Sequence, residues 1–307
     1  MTDILAARDL SKWYGQVIAV NRISFSLGPG VIGLLGPNGA GKSTLMKLMT
    51  GQLRPSQGEI TLFGEPIWNH YPLFNRLGFC PEQDSFYERL TGREFLSALL
   101  RIHGFSEPDV LHRTDAALER VNLSAAADKM IAAYSKGMRQ RIKLAQAIAH
   151  DPDVLVLDEP LSGMDPVARH QTIRLIREWG REQKCVVVFS HVLHEIEAMT
   201  QNILLLNNGQ VVAQGDIFQI RALIDKHPHR IHIRCTDPRR MAELLVGFPD
   251  VAGVRFYPEE SALAVESRKP DEFYERLPEL MIEHNIELEE ISSPDDNLEA
   301  VFRYLVK

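Results

Sequence analysis

The chain is poor in cysteine, in excess basic charge and in long apolar runs. Its three cysteines, Cys80, Cys185 and Cys235, lie far apart with no C-x-x-C spacing. That gives no hint of a zinc site and suits a reducing compartment. Lys and Arg number 34 against 41 Asp and Glu, a net charge of −7, which argues against a broad nucleic-acid or anionic-lipid footprint. No nucleic-acid partner is therefore expected. No apolar stretch approaches the ~20 residues that cross a bilayer, so any work at a membrane requires a partner that does the spanning. The opening Met1-Thr2-Asp3-Ile4 is not a basic segment followed by an apolar one, and no signal peptide is read there. Internal repeats and low-complexity tracts are missing too. What remains is an ordinary globular composition, 45% hydrophobic and 24% charged over 307 residues, enough for one large domain or two of common size.

The strongest local signal is Gly36-Pro37-Asn38-Gly39-Ala40-Gly41-Lys42-Ser43-Thr44. Before it runs Val31-Ile32-Gly33-Leu34-Leu35, apolar and strand-like; after it comes Leu45-Met46-Lys47-Leu48-Met49, helix-forming and closed by Gly51. Strand, glycine-rich turn and helix is the setting in which G-x-x-x-x-G-K-[ST] cradles phosphate. The glycines let successive N–H groups point inward, and the helix N-terminus adds unpaired amides and its dipole. Lys42 would reach the β- and γ-phosphates and Ser43 would offer its hydroxyl to Mg²⁺. These residues imply a nucleoside triphosphate site.

Along the rest of the chain, Ile4–Ala7, Val17–Val20, Ile23–Leu27, a segment in 58–64 and Leu77–Cys80 read as short strands. Positions 91 to about 123 turn helical, with apolar residues at 3–4 spacing. Val154–Leu157 and Val186–Phe189 read as buried strands flanking a helix over 166–183. Alternation of this kind implies a helix-covered, parallel sheet. A hairpin of Ile203–Leu206 and Val211–Ala213 around Asn207-Asn208-Gly209 should end this domain near 218. Beyond a linker around 226–229 the predicted order is strand Ile231–Cys235, helix Pro238–Phe248, strands Val251–Tyr257 and Ala262–Val265, helix Asp271–Asn285, strand Ile286–Ile291, and a last helix over 297–306. That β-α-β-β-α-β order is a split βαβ sandwich. It carries no cluster of titratable or glycine residues suggestive of catalysis, and reads as a structural or regulatory module.

Val154-Leu155-Val156-Leu157 delivers Asp158 and Glu159 to the end of a strand where open α/β sheets bind ligands. There Asp158 can hold Mg²⁺ and Glu159 can orient and polarise the attacking water. Ser190-His191 follows a strand to the same sheet edge, which makes His191 a candidate γ-phosphate sensor. His191 and His194 could instead be read as an i,i+3 metal pair, with Glu195 adjacent, but no third ligand or metalloprotease spacing supports it.

These motifs together resemble the nucleotide-binding subunit of an ATP-binding cassette (ABC) transporter, over residues 4 to about 218. Gly36–Thr44 resembles the family's Walker A and Val154–Glu159 its Walker B. Tyr14 falls where the family stacks a ring on adenine. Gln83 falls where the Q-loop glutamine meets Mg²⁺ and the transmembrane partner. Tyr134–Arg141 stands where the signature loop stands, with Ser135, Gly137 and Met138 toward phosphate. Leu161–Asp165 resembles the D-loop, ending on Asp165, and His191 the H-loop. In two places the chain departs from the commonest pattern. Ser135-Lys136-Gly137-Met138 replaces Ser-Gly-Gly-Gln, a variant that resembles type-2 exporters with a separate cassette. Pro81-Glu82-Gln83-Asp84 stands where Pro-Gln is usual, which loosens the register of Gln83.

The resemblance implies an α/β P-loop cassette over 1–226, with a mixed sheet core, an antiparallel β subdomain and a helical subdomain at about 84–134. A small ferredoxin-like α+β domain (βαββαβ) follows over 227–307. It implies an ATPase using ATP and Mg²⁺, with Glu159, His191, Lys42 and Gln83 in catalysis and Ser43, Gln83 and Asp158 on the metal. A second ATPase subunit, the same chain or a relative, would share ATP across the interface. A separate transmembrane permease would take up the work, most simply for export, from the cytoplasmic face of the membrane. A non-transport ABC ATPase acting on a soluble complex and an importer ATPase with a sensing C-terminal domain are the alternatives left open.

Overall fold

The computed structural model describes residues 3–224 and 228–293, and the chain divides into two compact units, Met1–Asp216 and Ile217–Lys307. The linker expected at 226–229 and the last helix expected at 297–306 lie partly or wholly outside the described residues.

In the first unit the order is β1 (Leu5–Tyr14), β2 (Val17–Leu27), β3 (Gly30–Leu35), α1 (Lys42–Met49), β4 (Gln57–Leu62), β5 (Glu65–Pro66), β6 (Leu77–Cys80), α2 (Gly92–Ile102), α3 (Glu107–Arg120), α4 (Lys136–Ile148), β7 (Val154–Asp158), α5 (Pro166–Arg181), β8 (Cys185–Phe189), α6 (Leu193–Met199), β9 (Asn202–Asn207) and β10 (Gln210–Asp216). One sheet is antiparallel, in the order β2-β1-β4-β5; the other runs β10-β9-β3-β8-β7-β6. In the second, β9, β3, β8, β7 and β6 are parallel and β10 closes the edge antiparallel to β9. Every residue of β8 is buried, as are Val154–Leu157 of β7 and Val31–Leu35 of β3. Continuous apolar runs form central parallel strands because both of their faces are covered.

The strands read as three short pieces at the N-terminus are two long ones. Asp9 and Arg22 take φ of 47° and 49°, and the β1–β2 ladder shifts register around them. Two serine hydroxyls let the strands continue: Ser24 Oγ accepts from Asp9 N–H at 2.9 Å, and Ser11 Oγ accepts from Arg22 N–H at 2.9 Å. These are β-bulges, in which a polar residue interrupts the apolar alternation without ending the strand. The helical stretch read from 91 is two helices. Thr91 and Glu94 form a capping box at the start of α2, Gly104 turns the chain at φ 85°, and Pro108 sits in the first turn of α3, where proline is tolerated.

The second unit contains α7 (Ile217–Ile224), β11 (His229–Cys235), α8 (Pro238–Leu245), β12 (Val251–Tyr257), β13 (Ala262–Ser267), α9 (Pro270–Glu283) and β14 (Leu288–Ser292). Its four strands form an antiparallel sheet in the order β12-β13-β11-β14. Met241 and Leu245 of α8 and Phe273, Leu277 and Met281 of α9 bury against Ile231, Ile233, Leu263 and Val265. Burying each such side chain contributes roughly 1.5–3 kcal/mol, which gives this unit a core of its own. Helix α7 was not read from the sequence, where the hairpin before it was taken to end the domain.

Candidate active site

The phosphate loop leaves β3 and enters α1 through Gly41, the N-cap, at φ 99°. A Cβ there would lie 2.3 Å from the carbonyl oxygen of Ala19 on β2, so both the backbone angle and the close approach require glycine. The loop is tied down by Ala40 N–H to Pro37 O at 3.2 Å and by Gly209 N–H to Ala40 O at 3.0 Å. Leu45, Met46, Leu48 and Met49 bury one side of α1, fixing its N-terminus toward the loop. Lys42 Nζ donates to Gly36 O at 2.6 Å and to Pro37 O at 2.9 Å. Burial pulls the Lys42 pKa down, opposed by the nearby Glu159 and Asp158 carboxylates.

The opposite wall comes from the ends of β7 and β8. Asp158 still pairs with Phe189 in the ladder, while Glu159 turns out of it at φ 45°, its N–H bonded to Phe189 O at 2.9 Å. A non-glycine residue in this region carries backbone strain of order 1–3 kcal/mol, held only where the surroundings over-determine it. Three donors fix the Glu159 carboxylate: Ser190 Oγ at 3.1 Å, His191 N–H at 2.9 Å and His191 Nδ1 at 2.7 Å. The Glu159 carboxylate raises the His191 pKa above its ordinary value. Asp158 is pushed up to about 6, first by burial and then by the neighbouring Glu82 and Glu159 carboxylates.

Between the walls lies a cavity of about 390 Å³. The loop and α1 line it with Asn38, Gly39, Gly41, Lys42, Ser43 and Thr44, β2 with Ala19, and the ends of β7 and β8 with Asp158, Glu159, Phe189, Ser190 and His191. Gly36 and Pro37 stand behind, presenting carbonyls to Lys42, and Ala40 is buried. Glu82 lines the cavity, and Gln83, expected on the metal, is not among its lining residues. Parallel pairing of Cys80 with Leu157 brings the next residues alongside Asp158.

Tyr14 lies at the exposed end of β1, outside the lining. Ser135, Gly137 and Met138 start α4, with Ser135 Oγ accepting from Met138 N–H at 3.3 Å. Asp165 caps α5 by accepting from Ala168 N–H at 2.9 Å. None of these four lines the cavity, but their loops are neighbours: a Cβ on Gly163 would stand 2.3 Å from Lys136 Cε. Ser190 and Glu82 were not singled out from the sequence as site residues. Their signal was adjacency, to His191 and to Gln83.

Among the described residues no three His, Cys, Asp or Glu gather to hold a metal ion by themselves. The cavity's donors are hard oxygens, the Ser43 hydroxyl and the raised Asp158 carboxyl. That set suits Mg²⁺, which takes few protein ligands and completes its shell with water and phosphate. Also among the described residues, no helix is long and apolar enough to cross a membrane.

Residues 20–162 match the ABC transporter family profile. The bacitracin transport ATP-binding protein BcrA of Bacillus licheniformis is 28% identical over 309 residues, covering 100% of this chain and 98% of the relative. The Nod factor export ATP-binding protein I of Ralstonia nicotianae is 36% identical over 216 residues, 70% of this chain and 67% of the relative. Among solved structures, an ATP-binding subunit of an ABC transporter superposes with a TM-score of 0.66 at 29% identity, over 72% of this chain and 92% of that one. With a phosphate loop facing paired carboxylates on a mixed sheet, and relatives matched over most of their length, the chain belongs to the ABC transporter ATP-binding proteins, the subunits that hydrolyse ATP to drive transport.

Proposed function

We propose that this chain binds MgATP between the phosphate loop and the Asp158–Glu159 corner, and that its hydrolysis powers export through a separate transmembrane permease. One observation carries the site reading: Lys42, Ser43, Asp158, Glu159 and His191 converge on a single cavity, with Glu159 held by His191 at 2.7 Å. Glu159 is the general base, taking a proton from the attacking water, and His191 and Ser190 aim its carboxylate. Lys42 and the loop amides stabilise charge on the transferring phosphoryl group. Ser43 and Asp158 would hold Mg²⁺, whose charge neutralises phosphate oxygens; Glu82 takes the place beside Asp158 that Gln83 was expected to fill.

Tyr14 serves adenine, and Ser135, Gly137, Met138 and Asp165 serve the nucleotide of a second ATPase subunit, a copy or a relative. The N-terminus of α4 supports this, since beyond the Met138 N–H taken by Ser135 its first turn presents amides of the kind that bind anions, and the loop before α5 lies beside it. The unit ending at Asp216 is the cassette, with a helical subdomain at about 84–134, and the unit after it is the accessory domain. The strand order β12-β13-β11-β14 with α8 and α9 interleaved supports a ferredoxin-like reading of the latter. Export is favoured by the Lys136–Met138 signature and by the names of relatives that serve bacitracin transport and Nod factor export. The subunit then sits on the cytoplasmic face of the membrane.

Purification of tagged Glu159→Gln from native membranes with ATP and mild detergent, followed by mass spectrometry, tests this. The expected result is a trapped dimer with a stoichiometric multi-span protein, while Lys42→Ala loses ATP binding. Recovery only from the soluble fraction, on ribosomal or chromosomal partners, would sink the transport reading and leave the ATPase one.

A further inference from the structure

Helix α4 reaches the catalytic corner from behind. Gln140 is buried, 3% exposed, and its Nε2 donates to Glu159 O at 3.2 Å and to Pro160 O at 3.0 Å. One turn on, Lys143, also 3% exposed, donates to Glu82 O at 2.5 Å and pairs with Asp84 at 3.1 Å. Arg139 adds a two-pronged contact to Glu88, both arms at 2.7 Å. Residues 139, 140 and 143 share one side of a helix. That side therefore ties both loops carrying the cavity's carboxylates, the one after β6 and the one after β7.

Gln140 matters most, because Glu159 stands at a strained φ of 45°. Phe189 O holds the N–H side of that residue, Gln140 holds its C=O and the next one, and a single amide group supplies both of the latter bonds. Ser190 and His191 fix the carboxylate; on the carbonyl side Ser162 N–H also donates to Glu159 O, at 3.1 Å, and Gln140 shares that oxygen and adds the bond to Pro160 O. We propose that Gln140 is a positioning residue for hydrolysis, which holds the Glu159–Pro160 turn so that the carboxylate meets the attacking water at the productive distance. The inference rests on the reading of Glu159 as general base.

The test uses Gln140→Met, which keeps length and packing but removes both donors, and Gln140→Glu, which replaces them by a group that donates only when protonated. In Gln140→Met the steady-state kcat falls on the order of 10-fold to 10²-fold, the loss expected of an ångström-scale misplacement, while KM and ATP binding stay at wild-type values. In Gln140→Glu the loss is larger at alkaline pH and shrinks toward acid, where the buried carboxyl gains a proton and one hydrogen bond returns. Wild-type kcat in Gln140→Met, loss of ATP binding together with kcat, or a Gln140→Glu defect independent of pH would overturn the proposal. Glu159→Gln assayed in parallel separates the two levels. If it retains turnover, the base assignment itself falls; if it is inactive while Gln140→Met turns over normally, only the positioning role is lost.

Discussion

Asp158→Asn should make the nucleotide-free protein more stable while removing its response to magnesium. The Asp158 carboxyl is moved from 3.8 to about 6 by burial and by Glu82 and Glu159. At 1.36 kcal/mol per pK unit that displacement corresponds to roughly 3 kcal/mol, which solvent screening at this partly exposed side chain reduces to about 1 kcal/mol. The folded-state pKa lies above the unfolded one, so the folded protein binds the proton more readily. The group's contribution to stability is present below about pH 3.8 and is lost as pH rises through about 6. At pH 7.5 without Mg²⁺, Asn should therefore raise the unfolding midpoint by a few degrees, because it keeps the size and shape of the side chain but carries no charge. Toward pH 4 the two proteins should converge. All three tryptophans, Trp13, Trp68 and Trp179, lie in the first unit, so tryptophan fluorescence follows that unit alone. Mg²⁺ should raise the wild-type midpoint and leave Asn unmoved. An Asn variant no more stable than wild type at pH 7.5, or a gap that widens toward acid, would refute the reasoning.

Two further changes probe the same corner. His191→Ala removes the 2.7 Å partner of Glu159 and should lower turnover far more than ATP affinity, as single-turnover kinetics and nucleotide binding can separate. Because Glu159 raises the His191 pKa, the pair's small stabilisation is present below pH 6.5 and fades as pH rises through the raised value; His191→Ala should remove that slope from the pH dependence of unfolding. Gly41→Ala forces an L residue to φ 99° with its Cβ 2.3 Å from Ala19 O. The strain, on the order of 1–3 kcal/mol, should lower the tryptophan-detected midpoint and abolish binding of a fluorescent ATP analogue; an unchanged midpoint with full binding would mean that the loop yields.

By itself the sequence determined the chemistry of the phosphate side and the alternation that makes the first unit α/β. Gly36–Thr44, Asp158-Glu159 and His191 are contiguous with their own strands and helices, so local chain geometry already carries them to one edge of a parallel sheet. From β11 to β14 the order of strands and helices was legible for the same reason, since each element shows its own apolar period. Tertiary structure alone decided what depends on contacts between distant segments. Ser11 and Ser24 turn two apparent strand breaks into bulges by bonding a neighbouring strand. Strand pairing of Cys80 with Leu157 puts Glu82 beside Asp158. The turn at Glu159 is held from a helix nineteen positions away in sequence because Gln140 is aimed there by the packing of α4. A pattern along the chain records each residue's own conformational preference, whereas these choices were made by partners that only folding brings within hydrogen-bond reach.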